Sequence, residues 1–307
     1  MASRLKQDTS LKDFLWVKRY GAALVEHVLA AKLFPINSKF EIRPHLRHSK
    51  KIFDCWSFFV TVTSMSAGTI SRKERERIAR EALIIEHAQR LLLEQGFQGF
   101  SLDDLAKSIE YSKGTIYLHF ESKEDLALAV ATSALRERAN LFERAIRFKG
   151  KSRERARAIG FACCHFMVAY PDYFNVEMLI KSTSFWEKAS EKRRMENSFQ
   201  GGRTFRALVE VVHHGFESGD LPRGPISAEH IALAMASVTM GSHVMSQIPE
   251  MHLLAGIEDP ILIVRQNQDV LLDGFRWNAL FADYDYAATD RRIRDEIFPE
   301  ADWLNRP

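Results

Sequence analysis

A chain of 307 residues, 46% hydrophobic and 27% charged, allows one large or two modest domains and excludes collagen, low-complexity disorder and a disulfide-stapled miniprotein. Its formal net charge of +3 hides an asymmetry: residues 1–51 hold eleven Lys/Arg against four Asp/Glu, whereas residues 52–307 carry a net −4. Three thiols, Cys55, Cys163 and Cys164, two of them adjacent, cannot close a disulfide framework and fit a reducing cytoplasm. The apolar run at 52–63 is interrupted by Asp54 and too short to span a bilayer. A soluble, cytoplasmic chain with no membrane partner is therefore expected.

Residues 1–71 read as a basic leader, with one amphipathic helix predicted at 22–34 and a small, polar stretch, MSAGTIS, at 65–71. From Arg72 the texture changes to helix-forming runs. A first helix is predicted over about residues 72–95, ending where Gly96 suits a left-handed cap, with Ile78, Ile85, Ala88 and Leu92 facing a core. Two short helices and a longer one follow, opened by Ser101 (SLDD), Ser112 (SKGT) and Ser122 (SKED), whose hydroxyls can accept from exposed first-turn amides. Helical signal continues to about Phe281, broken at Pro171, at 219–225 and at 249–260. No convincing period-two strand is visible, so the fold class is all-α. Residues 282–307 mix charge with Tyr, Phe and Trp and are set apart as a C-terminal tail.

The two short helices form a helix-turn-helix: SLDDLAKSI supports, EYS turns, and KGTIYLHF is presented. Leu102, Leu105, Ala106 and Ile109, with Ile116 and Phe120, supply the seam. Lys113, Gly114, Thr115, Tyr117 and His119 are left exposed: a cation, an unobstructed backbone and three hydrogen-bonding groups, a set suited to phosphates and base edges. The run IIEHAQRLLLEQGFQGFSLDDLAKSIEYSKGTIYLHFESKEDL resembles the DNA-binding domain of the TetR (AcrR-like) family of transcriptional regulators, most densely over SKGTIYLHFESKEDL. The resemblance implies that Ser101, Thr115, Tyr117, His119 and Lys123 hold phosphates, and that Lys113, Gly114 and Leu118, on the helix opened by Ser112, lie closest to the major groove. Glu110 stands at a turn position where the family usually has Gly, so a non-Gly residue is expected in a left-handed backbone at about 1 kcal/mol unless the turn is reshaped. His87 stands where a small Ala is usual. Residues 72–123 carry nine basic and nine acidic side chains, so DNA binding must come from placement rather than bulk charge. Arg72, Lys73, Arg75 and Arg77 read equally as a DNA-reaching arm or a solvated helix start.

This organisation divides the chain into a leader (1–71), a helix-turn-helix DNA-binding domain (72–126), an α-helical regulatory and dimerisation domain (127–281) and a tail (282–307). One such head contacts too little DNA for selective binding, so a homodimer on a palindromic double-stranded operator is expected. Ile231, Val238 and Met245, seven apart, with Leu272 and Phe275, are the candidate dimer contacts; the resemblance implies a four-helix interface from the last two regulatory helices. The bulky residues Phe161, Phe166, Met167, Tyr170, Tyr173, Phe174, Met178, Phe185 and Trp186 could line a pocket for an apolar or aromatic small-molecule effector, and the pocket itself is implied by the resemblance. No cofactor, metal or catalytic set is expected. Cys163, Cys164 and His165 are consecutive and point about 100° apart on a helix, and no phosphate loop, nucleophile elbow or HExxH motif occurs. The expected function is a ligand-responsive repressor; the rival is an enzyme or small-molecule binding protein that has kept a vestigial head. Met65 immediately precedes SAGTISRKERERIAREA, so residues 1–64 are either a basic extension adding nonspecific DNA affinity or, the favoured reading, lie upstream of a true start at Met65.

Overall fold

The computed structural model describes residues 71–179, 183–256 and 258–305, and every regular element among them is helical. The expectations for the leader, its helix, Cys55 and Met65 lie outside these residues. Helix α1 (Arg72–Gly99) starts at Ser71, whose Oγ accepts from the Glu74 amide at 3.1 Å. Its buried stripe is Ile84, Ala88, Leu91 and Leu92, with Ile85 half-buried, whereas Ile78 is 48% exposed. The expected inward phase therefore begins later than the periodicity implied, because the first turns of α1 project beyond the core. The basic cluster at its start is helical and laced by pairs such as Arg72–Glu76 and Arg77–Glu74, both 2.8 Å, and is not an extended arm. At Gly96 the backbone takes φ 67° and ψ 170°, which kinks the chain where a left-handed cap was expected.

Helices α2 (Leu102–Ser108), α3 (Lys113–Tyr117) and α4 (Lys123–Ala145) complete the head. All three serine caps form: the Oγ atoms of Ser101, Ser112 and Ser122 accept from the amides of Asp104, Thr115 and Asp125 at 3.1, 3.1 and 3.0 Å. Leu102, Leu105, Ala106, Ile116 and Phe120 join the buried α1 stripe in one core. Helix α4 belongs to two cores. Leu126 to Ala131 close the head, and Ala134 to Ala145 enter the body. Head and body thus share an unbroken helix, with no linker at residue 126.

The body comprises α5 (Ser152–Ala169), α6 (Pro171–Leu179), α7 (Thr183–Lys188), α8 (Glu191–Ser218), α9 (Ala228–Ser246), α10 (Pro249–Ala255) and α11 (Pro260–Gly274). Breaks fall where Pro and Gly predicted them: Gly219 ends α8 in the left-handed conformation (φ 77°, ψ 2°), and Pro260 opens α11 behind Asp259, which caps the Ile261 amide at 2.8 Å. A break before α8, capped by Ser190, was not foreseen. Fully buried Trp277 donates Nε1 to Ser152 Oγ at 2.8 Å, and its carbonyl accepts from buried Arg153 at 2.7 Å.

The presumed tail is part of the body. After a 3-10 turn (Phe281–Asp283), α12 (Tyr286–Ile297) and a second turn (Asp302–Asn305) pack on α5. Phe298 stacks on Phe161 at 5.6 Å, Trp303 lies 4.9 Å from the same ring, and Asp290 pairs with Arg157 at 2.8 Å. Among the described residues no single helix is long and apolar enough to cross a membrane.

Candidate nucleic-acid interface

Helix α3 is only five residues long, and its presentation depends on the turn before it. Glu110 adopts φ 56°, the left-handed backbone expected for this position, while the Tyr111 N–H donates to the Ala106 carbonyl at 2.9 Å and closes the end of α2. The turn is kept although the glycine is not. His87, half-buried on α1, accepts at Nδ1 from Arg90 at 2.8 Å, so the bulkier residue gains a polar contact at the edge of the packing.

The side chains on the outer face differ in how free they are. Leu118 is 86% and Tyr117 46% exposed. Lys113 and Ser112 are exposed; Lys113 pairs with Asp103 at 2.8 Å, and that hydrogen bond raises its pKa. Gly114 is exposed, with only Ser112 Oγ near the place of a Cβ. Thr115 is half-buried and shares a hydrogen bond with Ser112 at 2.8 Å. Lys123 is half-buried, its Nζ 4.5 Å from the Phe97 ring centroid. Ser101 is half-buried and donates to Asp104 at 2.6 Å.

His119 departs from expectation. Its side chain is 5% exposed, with Nδ1 3.3 Å from Glu81 Oε2, because the chain turns inward after α3 towards α1 and α8. Glu81 also meets Arg193, which no local pattern in the sequence singled out. Arg193 Nη1 lies 2.8 Å from both Glu81 and Glu196, its Nη2 donates to the His119 carbonyl at 3.1 Å, and its guanidinium sits 4.6 Å over the Phe120 ring. Burial pushes the Glu81 carboxyl up, but the Arg193 charge and the hydrogen bonds from Arg193 and His119 hold it below the usual carboxylate range.

The body holds a partly open cavity of about 100 Å³, walled by α4, α5, α6, α8, α9 and α11. Of the predicted lining residues, Phe166, Met167 and Phe174 face it. Phe161 is committed to Phe298 and Trp303, Tyr170 lies outside the lining against Phe166 and Tyr173, and the Phe185 ring lies tilted against Phe97 at 4.9 Å, tying α7 to the head, where Trp186 also packs. The Met178 side chain lies outside the described residues. The rest of the wall includes Phe142, Leu208, Met235 and Met240, on faces that only the packing of α4, α8 and α9 selects. Its charged groups are paired within the protein: Arg138 with Glu177 at 2.7 Å, and Arg157 with Asp269 at 2.5 Å and Asp290 at 2.8 Å. Gln268 donates to Thr239 at 3.0 Å. Cys163 also lines it, and burial pushes its thiol up to about 12.

Two proposed dimer contacts belong to the core instead: Ile231 and Leu272 are 3% and 4% exposed, because α9 and α11 pack on each other and on α5 and α8. Val238 and Phe275 are half-buried, and Met245 is exposed. The outward apolar side chains of these helices are Leu233, Met245, Leu262 and Val270.

A capped short helix, a tight turn and a second short helix presented on a packed three-helix base define a helix-turn-helix DNA-binding head on an all-α body. Residues 84–130 match the family model described as bacterial regulatory proteins, tetR family, so the head is similar to the DNA-binding domain of that family. Over 43 residues it is 44% identical to the biofilm operon icaADBC HTH-type negative transcriptional regulator IcaR of Staphylococcus aureus (strain Newman), covering 14% of this chain and 23% of the relative. Over 67 residues it is 39% identical to the HTH-type transcriptional regulator EthR of Mycolicibacterium smegmatis, covering 22% and 31%. The chain thus matches a quarter to a third of the length of these curated relatives. The crystal structure of a bacterial regulatory protein in the tetR family from Rhodococcus RHA1 aligns with TM-score 0.50 and 18% identity over 64% of this chain and 96% of that one. That likeness extends the shared fold beyond the head.

Proposed function

We propose that the protein is a DNA-binding transcriptional regulator, acting as a homodimeric repressor on a palindromic operator and released by a small molecule. The observation that carries this reading is the head: the three serine caps and the closed turn present Ser112, Lys113, Gly114, Tyr117 and Leu118 together on one exposed end. Lys113 and Tyr117 supply phosphate and base-edge hydrogen bonds, with Ser101, Thr115 and Lys123 at the margin of the footprint and the His119 side chain acting from behind it. The apolar face of Leu233, Met245, Leu262 and Val270 is the surface we assign to the second copy, setting two heads about 34–36 Å apart.

The effector we assign to the cavity is uncharged and largely apolar. Every ionic group on the wall has a counter-charge inside the protein, so a charged ligand would lose its hydration against side chains whose charge is already neutralised, at a cost of several kcal/mol. Footprinting of the full chain on the DNA flanking its own gene tests the reading. Protection of a palindrome, lost in Tyr117→Ala, is expected; no protected sequence would overturn it.

A further inference from the structure

Helix α8 runs from the cavity to the head along one buried stripe. Thr204 and Leu208 line the cavity, and Asn197 donates to Thr132 of α4 at 3.0 Å. Arg193, in the first turn, reaches the head about 16 Å from Thr204 by helical rise. There a single guanidinium, 3% exposed, engages the α1 carboxylate of Glu81, the backbone carbonyl of His119 just past α3, and the face of Phe120 in the head core. Ser190, the residue that caps α8, donates its amide to Asp125 Oδ1 at 2.6 Å, while Oδ2 of the same carboxylate accepts from the Glu121 amide at 3.2 Å. Both contacts grip the segment between α3 and α4, the exit of the DNA-reading helix.

We propose that Arg193 is a positioning residue for DNA reading: it touches no DNA, and it sets the orientation of α3 relative to the body by holding Glu81, His119 and Phe120 at once. A planar fork suits this task, because its two ends address the Glu81 carboxylate and the His119 carbonyl while its face lies on the ring. The same stripe of α8 borders the cavity, so a shift of α8 at Thr204 and Leu208 is delivered to α3 through Arg193. Arg193 lies behind the outward-facing set of α3 and is not one of its residues, so its removal leaves the reading surface intact and frees its angle. This inference rests on the reading of the head as a DNA-binding unit.

The test uses the full chain, a duplex recovered by selection from a randomised pool, and a scrambled duplex of the same length. Arg193→Met keeps the methylenes and removes the fork. The double variant Arg193→Met/Glu81→Gln also removes the charge of Glu81, the more buried of the two carboxylates that Arg193 meets, and so keeps a folded protein in hand. Affinity for the selected duplex is expected to fall about tenfold in either folded variant, with affinity for the scrambled duplex and the salt slope unchanged, because the buried group neutralises no phosphate. Unchanged affinity for the selected duplex in a folded variant overturns the proposal, as does an equal loss on both duplexes or a reduced salt slope, either of which would mark a direct phosphate contact. A wild-type protein that prefers no duplex from the pool overturns the DNA-binding reading itself.

Discussion

Replacing Glu110 by glycine should stabilise the protein although it removes a side chain. Glu110 is exposed, makes no hydrogen bond or ion pair through its side chain among the described residues, and holds φ 56° in the turn between α2 and α3. A side-chain-bearing residue pays about 1–2 kcal/mol in that region, which glycine does not. Glycine in turn makes the unfolded chain freer, which returns about 0.4–1 kcal/mol. The balance is a gain of about 0.5–1 kcal/mol, equivalent to a rise of about 1–4 °C in Tm for a folded unit of this size. Thermal unfolding followed by circular dichroism measures it, with Glu110→Ala as the control that trims the side chain but keeps the Cβ and therefore the strain. A fall in Tm for Glu110→Gly, or an equal gain in both variants, would refute the argument from backbone strain.

Three other outcomes follow from particular contacts. Gly215→Ala would place a Cβ 2.7 Å from Trp277 Cζ2 and 3.1 Å from Leu221 Cβ, against an indole pinned by Ser152; chemical denaturation should show a loss of about 1–3 kcal/mol. Glu81 has a depressed folded pKa, so its contribution is complete above the ordinary glutamate value and is lost as pH falls through the lower folded value. The acid limb of a plot of Tm against pH should therefore be shallower in Glu81→Gln than in the wild type. Burial keeps the thiols of Cys163 and Cys164 protonated far above neutrality. Iodoacetamide at pH 7.5 should leave the peptide carrying both unmodified in the native protein and alkylate it in urea, as mass spectrometry would report.

The parts of this structure that were legible in the sequence are those decided within a few residues. A serine placed just before a helix-forming run can accept from the amide three positions on, a contact decided locally, and Ser101, Ser112 and Ser122 all make it. Glu110 was readable for the same reason, since its left-handed backbone is required by the turn it occupies. His119 was not, because its ring is turned inward by Glu81, 38 positions upstream, while its carbonyl is held by Arg193, 74 positions downstream. Aromatic density marked the right helices for a cavity but not the right faces. Phe166 and Phe174 turn to the opening, whereas Phe161, one turn earlier on α5, turns to Phe298. Likewise, a heptad of apolar residues on α9 has the same spacing whether it faces α11 or a second copy, and Ile231 faces the core.

The partnership between α5 and the segment around α12 also orders the assembly of the chain in time. Arg157 waits for Asp290, 133 positions later, and His165 for Trp303, 138 positions later. At about 5–20 residues per second of synthesis, the face of α5 that carries Phe161 stays uncovered for on the order of ten seconds after it has been made. The contacts among α1 to α4 close over short separations and form quickly by comparison. The nascent chain therefore holds a nearly formed reading head attached to an unfinished, apolar body, and in that interval the body is the part that chaperones have to shield.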